Sequence, residues 1–426
     1  MLNQEHPGKV AIDLYNYHLP EKCIAQFPAA NREDAKLLVY KAGNISHTTY
    51  VQIGGQLPPG ALLVFNNSRV VEARLLFQKE SGGVIEIFAL EPHEQYADIS
   101  TAMNQTGHIL YKCLVGGAAK WKHGMVLQKE VQHDGEPLTI KARMTEKRSD
   151  CFVVEITWFP DDFPFAQVLH LAGKIPIPPY LHRQAEAVDT ERYQTVYASA
   201  DGSVAAPTAG LHFTPQLLQS LLQNGFSEAF TTLHVGAGTF MPVKSHTLNG
   251  HEMHAEFLEA DEKLLNQLLA ASIVIPVGTT AMRTLESIYW MGVKAYVNPS
   301  IDIAALEMQQ WEVYDNLSDH FIDRNTAIQS LLNWMNREGK KQVIIKTRIL
   351  IAPGYRFGIC NGLITNFHQP KSTLLLLVSA LIGEDWRKVY NYALENDFRF
   401  LSYGDGSLLL PKIPNSQIPN SSFLPS

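Results

Sequence analysis

Thr214-Pro-Gln-Leu-Leu-Gln-Ser-Leu-Leu-Gln-Asn-Gly225, followed closely by Ala229-Phe-Thr-Thr-Leu-His-Val235, decides the fold class of this chain. Thr214 carries the hydroxyl that a helix N-cap needs, Pro215 suits the first helical position, and Gly225 supplies the stop. Leu217, Leu218, Leu221 and Leu222 fall on one helical face, so an amphipathic helix feeds a short apolar strand. The same alternation recurs outward from it. A helix is expected over 261–271, an apolar strand over 273–277 and a helix opening after Gly278-Thr-Thr280. A strand over 343–352 and a helix over 372–382, set off by Pro370, follow. Alternation of this kind implies an α/β main domain with mixed α and β elements.

Residues 61–160 read differently. Their apolar runs are short and broken by Gly82-Gly83, Gly116-Gly117 and His133-Asp-Gly135, and Val84-Ile-Glu-Ile-Phe88 has strand composition. The expected organisation is therefore a discontinuous α/β catalytic domain, 1–60 plus 161–410, interrupted by a small all-β, barrel-like insertion over 61–160. Residues 411–426, rich in Ser, Pro and Asn, read as a flexible C-terminal tail.

A length of 426 residues exceeds what one core usually supports, and 46% hydrophobic with 18% charged residues is a globular composition. No apolar run approaches the roughly 20 residues of a membrane span. The N-terminus lacks the basic start and apolar core of a secretory signal, so a cytoplasmic location is expected. Cys23, Cys113, Cys151 and Cys360 form no Cys-x-x-Cys pair, which argues against a disulfide framework or a cysteine metal cluster. The net charge of −7 excludes a globally basic nucleic-acid binder. An RNA partner would need a local patch; the basic stretch 336–348 is either that or a solvated loop and strand edge.

Several loops have the composition of ligand sites. Gly202-Ser-Val-Ala-Ala-Pro-Thr-Ala-Gly-Leu-His-Phe-Thr214 mixes small and polar residues ahead of a helix, with His212 as its one group titrating near neutrality. The alternative is a tight turn with His212 as a core histidine. His234 ends a strand beside Gly236-Ala-Gly-Thr-Phe240, which lacks the third glycine of a dinucleotide fingerprint. In His251-Glu-Met-His254 the histidines stand three apart, not the four of a helical zinc site, so no metal is expected. If extended, Glu252, His254 and Glu256 share a face and could tune a base. Gly278, Thr279 and Thr280 open a helix as an anion site would, with Arg283 and Glu286 one turn in, as a solvated pair or facing substrate. Tyr355, Arg356 and Phe357 suit stacking on a splayed base.

Together these segments closely resemble one family, the S-adenosylmethionine:tRNA ribosyltransferase-isomerases of queuosine biosynthesis. The stretches that carry the resemblance include Leu19-Pro-Glu-Lys-Cys-Ile-Ala-Gln26, Val64-Phe-Asn-Asn-Ser-Arg-Val70, Ile175-Pro-Ile-Pro-Pro-Tyr180 and Glu191-Arg-Tyr-Gln-Thr-Val-Tyr197. They continue through 202–214, 233–240, 277–287, 362–377 and 399–405, nearly the whole chain. The resemblance implies an enzyme that uses S-adenosylmethionine as a ribosyl donor. Its acceptor would be the 7-aminomethyl-7-deazaguanine at the wobble position of tRNA, with no metal or redox cofactor. The reaction would release adenine and methionine and leave epoxyqueuosine.

By chemistry, His212, His234 and His254 are the candidates for proton transfer, with Asp405 as an orienting or acid partner. Gly236, Gly238, Thr239, Gly278, Thr279 and Thr280 are candidates for holding the donor's ribose and carboxylate. Arg192, Arg283, Lys371 and the 355–357 loop would meet phosphate or base. The chain departs from the family pattern at Glu72, Met241, Arg348 and Gln369, where the family has proline, arginine, aspartate and leucine. These departures leave open a same-fold enzyme with a different acceptor; a noncatalytic RNA-binding relative is the other alternative. The sequence is silent on oligomeric state.

Overall fold

Residues 6–79, 81–122, 124–236, 243 and 245–412 are described by a computed structural model. The chain folds as two units, the first comprising the start of the chain to Asn67, Pro207–Leu233 and the later residues. The second comprises Ser68–Ala206 and, among the described residues, 234–236.

The first unit opens with β1 (Lys36–Lys41), β2 (Asn44–Thr49) and β3 (Leu62–Asn66). The second then supplies β4 (Ser68–Val70), β5 (Arg74–Gln78), β6 (Val84–Pro92), α1 (Ile99–Met103), β7 (His108–Gly116), β8 (Val126–His133), β9 (Glu136–Lys147) and β10 (Phe152–Phe159). It continues with α2 (Phe165–Ala172), β11 (Gly173–Lys174), α3 (Ala187–Arg192) and β12 (Ala200–Ser203). The chain then runs through α4 (Pro215–Gln223), β13 (Ser227–His234), β14 (Glu256–Asp261), α5 (Glu262–Ala270), β15 (Val274–Val277) and α6 (Thr279–Val297). Last come α7 (Arg324–Arg337), β16 (Gln342–Thr347), β17 (Leu363–Asn366), α8 (Thr373–Ile382), α9 (Asp385–Glu395) and β18 (Gly406–Leu410).

In the first unit nine strands form one mixed sheet in the order β16-β14-β13-β3-β15-β17-β18-β1-β2. β13, β3, β15 and β17 run parallel to one another, so their carboxyl ends gather at one edge. β18 runs antiparallel to β17, pairing Gly406 with Asn366, and this brings Asp405 to that same edge. Helix α6 is buried from Thr279 to Ala295, which fits its apolar character on nearly every face.

The helices expected from local signals are present with their caps: Thr214, Asp261 and Ser372 accept from Leu217 N, Leu264 N and Leu375 N. The strand expected over 343–352 stops at Thr347. Beyond it, Arg348 N turns to the carbonyl of Met308, and Tyr314 Oη donates to Leu350 O while accepting from Ala352 N. Of the basic stretch 336–348, Arg337 closes α7 and Lys346 lies on β16, an edge strand of the sheet.

The second unit holds a seven-stranded antiparallel sheet, β11-β5-β6-β7-β10-β9-β8, and the parallel pair β12-β4. Period-two burial of Ile109, Tyr111 and Cys113 on β7, and of Leu138, Ile140 and Ala142 on β9, gives the sheet one apolar face. The sheet curls so that β8 comes near β5. The unit extends past the expected limit at 160, because α2 sets Phe165, Val168 and Leu169 into its core. It also starts later, at Ser68, since β3 belongs to the nine-stranded sheet. Among the described residues, no helix is long and apolar enough to cross a membrane.

Candidate active site

At the carboxyl edge of the nine-stranded sheet, Asn366 closes β17 and organises its surroundings. Its Oδ1 accepts from Thr208 Oγ1 at 2.8 Å, and its Nδ2 faces His212 Nε2 and the carbonyl of Asp405, each at 3.4 Å. With Nε2 as the acceptor, the ring proton lies on Nδ1, the nitrogen left to donate to the backbone carbonyl of Arg32. Arg32 in turn donates from Nη1 to Leu211 O at 3.0 Å. The imidazole stacks on Tyr50, with centroids 4.2 Å apart and planes at 23°. Burial pulls the His212 pKa down to about 3; Arg399 and Arg32 add to the fall, and the Arg32 carbonyl opposes it. His212 is thus a neutral imidazole near pH 7, held on both faces of its chemistry.

The Asp405 carboxylate does not face a histidine. Its Oδ1 accepts from Lys36 N at 3.0 Å and its Oδ2 from Arg399 N at 2.8 Å, with Arg399 Nη2 at 3.7 Å. It ties the entry of β1 to the turn before β18. The neighbouring Gly406 has to be glycine: a Cβ there would lie 2.0 Å from Tyr50 Oη. Gly278 reaches this edge too, donating to Ile364 O at 2.7 Å with φ at +97°. A Cβ on it would stand 3.8 Å from Ala209 Cβ, so the start of α6 abuts the turn that holds His212.

Other candidates lie elsewhere in this unit. Arg283 and Glu286 do not pair with each other. Arg283 Nη1 engages Glu256 and its Nε donates to Ile349 O, deep in the core. Glu286 instead accepts from Gly358 N (2.8 Å), Ile359 N (3.1 Å), Cys360 N (2.9 Å) and Tyr355 Oη (3.0 Å). Tyr355 also accepts from Trp290 Nε1 at 2.8 Å and is 7% exposed, so it is a core residue and not a stacking platform. The Arg356 guanidinium lies 3.5 Å over Phe321, and Phe357 meets the edge of Tyr355. This loop borders a cavity of about 290 Å³ that includes Trp290, Tyr314, Phe321 and Arg356. Trp290 stands well along α6, roughly 16 Å from its start at 1.5 Å per residue, so the cavity is apart from the Asn366 cluster.

His254 is exposed in the irregular stretch before β14; Gln310 pins that stretch, accepting from Met253 N and donating to His251 O, both at 2.8 Å. Glu256 turns inward to Arg283, whereas Glu252 and His254 face out. Lys371 adopts φ +56° and extends Nζ to Asp13 Oδ1 at 2.5 Å, holding that carboxyl below its ordinary range.

In the second unit, His234 is buried at the end of β13 against Gly202. A Cβ on Gly202 would lie 3.2 Å from His234 Nδ1 and 2.1 Å from Ile99 Cγ2, and its φ is +126°. Ser203 Oγ accepts from Val235 N at 3.1 Å and donates to Ala205 O at 2.8 Å, fixing the backbone that leads to Gly236. Arg192 ends α3, half-buried. Gly238, Thr239 and Met241 lie outside the described residues. Of the other departures, Glu72 pairs with His170 at 2.9 Å, and Arg348 is exposed, with Nη1 3.4 Å from Gln309 Oε1.

Sequence reasoning assigned no role to Asn366, Thr208, Tyr50 or Arg32. Signals existed for two of them: Thr208 lies in the loop over 202–214, and Asn366 in Thr365-Asn-Phe-His368, at the end of an apolar strand.

A crystal structure of S-adenosylmethionine tRNA ribosyltransferase from Thermotoga maritima is 25% identical, covering 93% of this chain and 99% of that one, with a TM-score of 0.44. The family described as queuosine biosynthesis protein matches residues 12–409. A match of that extent, spanning both units and every strand of the large sheet but the last residue of β18, means that the chain belongs to the queuosine biosynthesis protein family.

Proposed function

We propose that this protein transfers and isomerises the ribosyl unit of S-adenosylmethionine onto 7-aminomethyl-7-deazaguanine at the tRNA wobble position. The family match over 12–409 is the observation that carries this reading. The sulfonium acidifies the adjacent ribose CH₂. A base removes a proton there, adenine leaves from the other end of the sugar, and the aminomethyl nitrogen attacks. Epoxide closure then expels methionine.

The strand-end cluster supports a positioning role for His212. A ring nitrogen with a pKa of about 3, already engaged on both sides, is a weak proton acceptor but a firm anchor for Asn366. Proton transfer then falls to His254, which is exposed, or to His234. Arg32 and Arg399 beside His212 favour an anionic group at this edge. Lys371, at the surface, is suited to tRNA phosphate.

The test is incubation with S-adenosylmethionine and tRNA carrying the aminomethyl base, following adenine, methionine and nucleoside mass. Equal release of adenine and methionine with a modified wobble nucleoside is expected. Adenine release without tRNA modification would point to another acceptor. Tight tRNA binding without turnover would point to a noncatalytic RNA binder.

A further inference from the structure

Resting on the proposed use of S-adenosylmethionine, we infer that the first turn of α6 binds the carboxylate of the donor's methionine portion, with Thr280 Oγ1 as the side-chain donor. Two observations mark this turn, and a third lies one turn on. Helix α6 is 19 residues long, and its N-cap is Gly278, which has no side chain with which to cap it. The first-turn N–H groups of a helix find no carbonyl within it and together form its positive end. On α4, α5, α7 and α8, Thr214, Asp261, Asp323 and Ser372 accept from such an amide.

The second observation is Thr280 itself. It is 9% exposed, and among the described residues nothing pairs with its Oγ1. That oxygen lies 3.4 Å from where a Gly278 Cβ would stand, so the hydroxyl points back over the open N-cap. The third is Arg283, one turn on, whose Nη2 is also buried and unpaired among the described residues while Nη1 and Nε are engaged. A buried hydroxyl with no partner, set over the uncapped first-turn amides, calls for an anion able to take several hydrogen bonds. A carboxylate does so with one charge and little bulk. Thr279, at 7% exposed, is as enclosed as Thr280, and this favours a small terminal group over the backbone phosphate of an RNA.

The experiment compares S-adenosylmethionine with its decarboxylated analogue, by calorimetry on the full chain. On the unaltered protein, the analogue should bind about tenfold more weakly or worse, as loss of a charge-assisted hydrogen bond requires. T280V, which keeps the side-chain shape, should weaken S-adenosylmethionine about tenfold and leave the analogue unchanged, and T280S should restore binding. The comparison on unaltered protein holds even if T280V fails to fold. Equal effects of T280V on both ligands, or none on either, would overturn the inference. So would a rise in KM confined to tRNA, which would assign the turn to a phosphate. If the unaltered protein bound neither ligand, the functional reading beneath the inference would fall with it. If it bound S-adenosylmethionine with the expected carboxylate preference yet released no adenine, the reaction alone would fall.

Discussion

Glu286→Gln isolates what holds the loop before β17. In the native protein four donors converge on two carboxylate oxygens: Gly358 N and Tyr355 Oη on Oε2, Ile359 N and Cys360 N on Oε1. Glutamine has the same shape but turns one of those oxygens into a donor. If its amide nitrogen replaces Oε1, it confronts two backbone N–H groups that cannot accept. If it replaces Oε2, Gly358 N loses its acceptor, and Tyr355 Oη, which already accepts from Trp290 Nε1, can take the new amide only by turning its own proton away from it. Each stranded buried donor costs about 1–3 kcal/mol, so either orientation costs about twice that before any offset. Relief of a buried charge offsets part of the loss. Burial pushes the Glu286 carboxyl upward, against the pull of the Gly358, Cys360 and Ile359 amides. The expected net loss is about 2 kcal/mol. Hydrogen exchange at the amides of 358–360 reads it locally, as roughly 30-fold faster exchange. Urea denaturation should show a lower midpoint with unchanged slope. Protection within twofold of the native protein, or a raised midpoint, would refute the assignment of Glu286 as the acceptor for this loop.

Acid should destabilise the first unit earlier than its carboxylates alone would. His212 and His368 are both pulled by burial to about 3, so the unfolded chain takes up protons below about pH 6.5 while the folded chain does not. Their contribution is complete above that pH and declines as pH falls through the window, by about 1.4 kcal/mol per pH unit for each histidine. Denaturation at pH 7 and pH 5 should show it, and a flat profile would contradict it. Gly202→Ala should cost about 2 kcal/mol or more from positive φ and the Ile99 clash, and Ile99→Ala should recover part of that in the double variant. His212→Ala should lower turnover far more than tRNA binding. Asn366→Ala should match it, and the double variant should be no worse than either single. Loss of a near-neutral limb from the pH–rate profile in His212→Ala would instead make His212 the base.

What was legible in the sequence follows the range of the interactions. Thr214, Asp261 and Ser372 bond within three residues of themselves, so helix starts could be read directly. Helix α9 went unread although Trp386, Val389, Tyr390 and Ala393 are buried with helical spacing, because polar residues dominate the segment. The limit at 160 failed because α2 joins the second unit through packing, which leaves no local mark. The site behaves likewise. His212 was singled out, but its environment comes from Arg32, Tyr50, Asn366 and Arg399, brought together only by sheet order. Tyr355 had the composition of a loop aromatic, and only its bonds to Glu286 and Trp290 make it core.

The claim that S-adenosylmethionine gives up its ribose, and not its methyl group, is tested most directly by isotope transfer. With donor labelled in the ribose carbons, the account predicts that the label enters the wobble nucleoside of tRNA while labelled methyl leaves with methionine. Methyl label in the tRNA, or ribose label retained on adenosine, would contradict it.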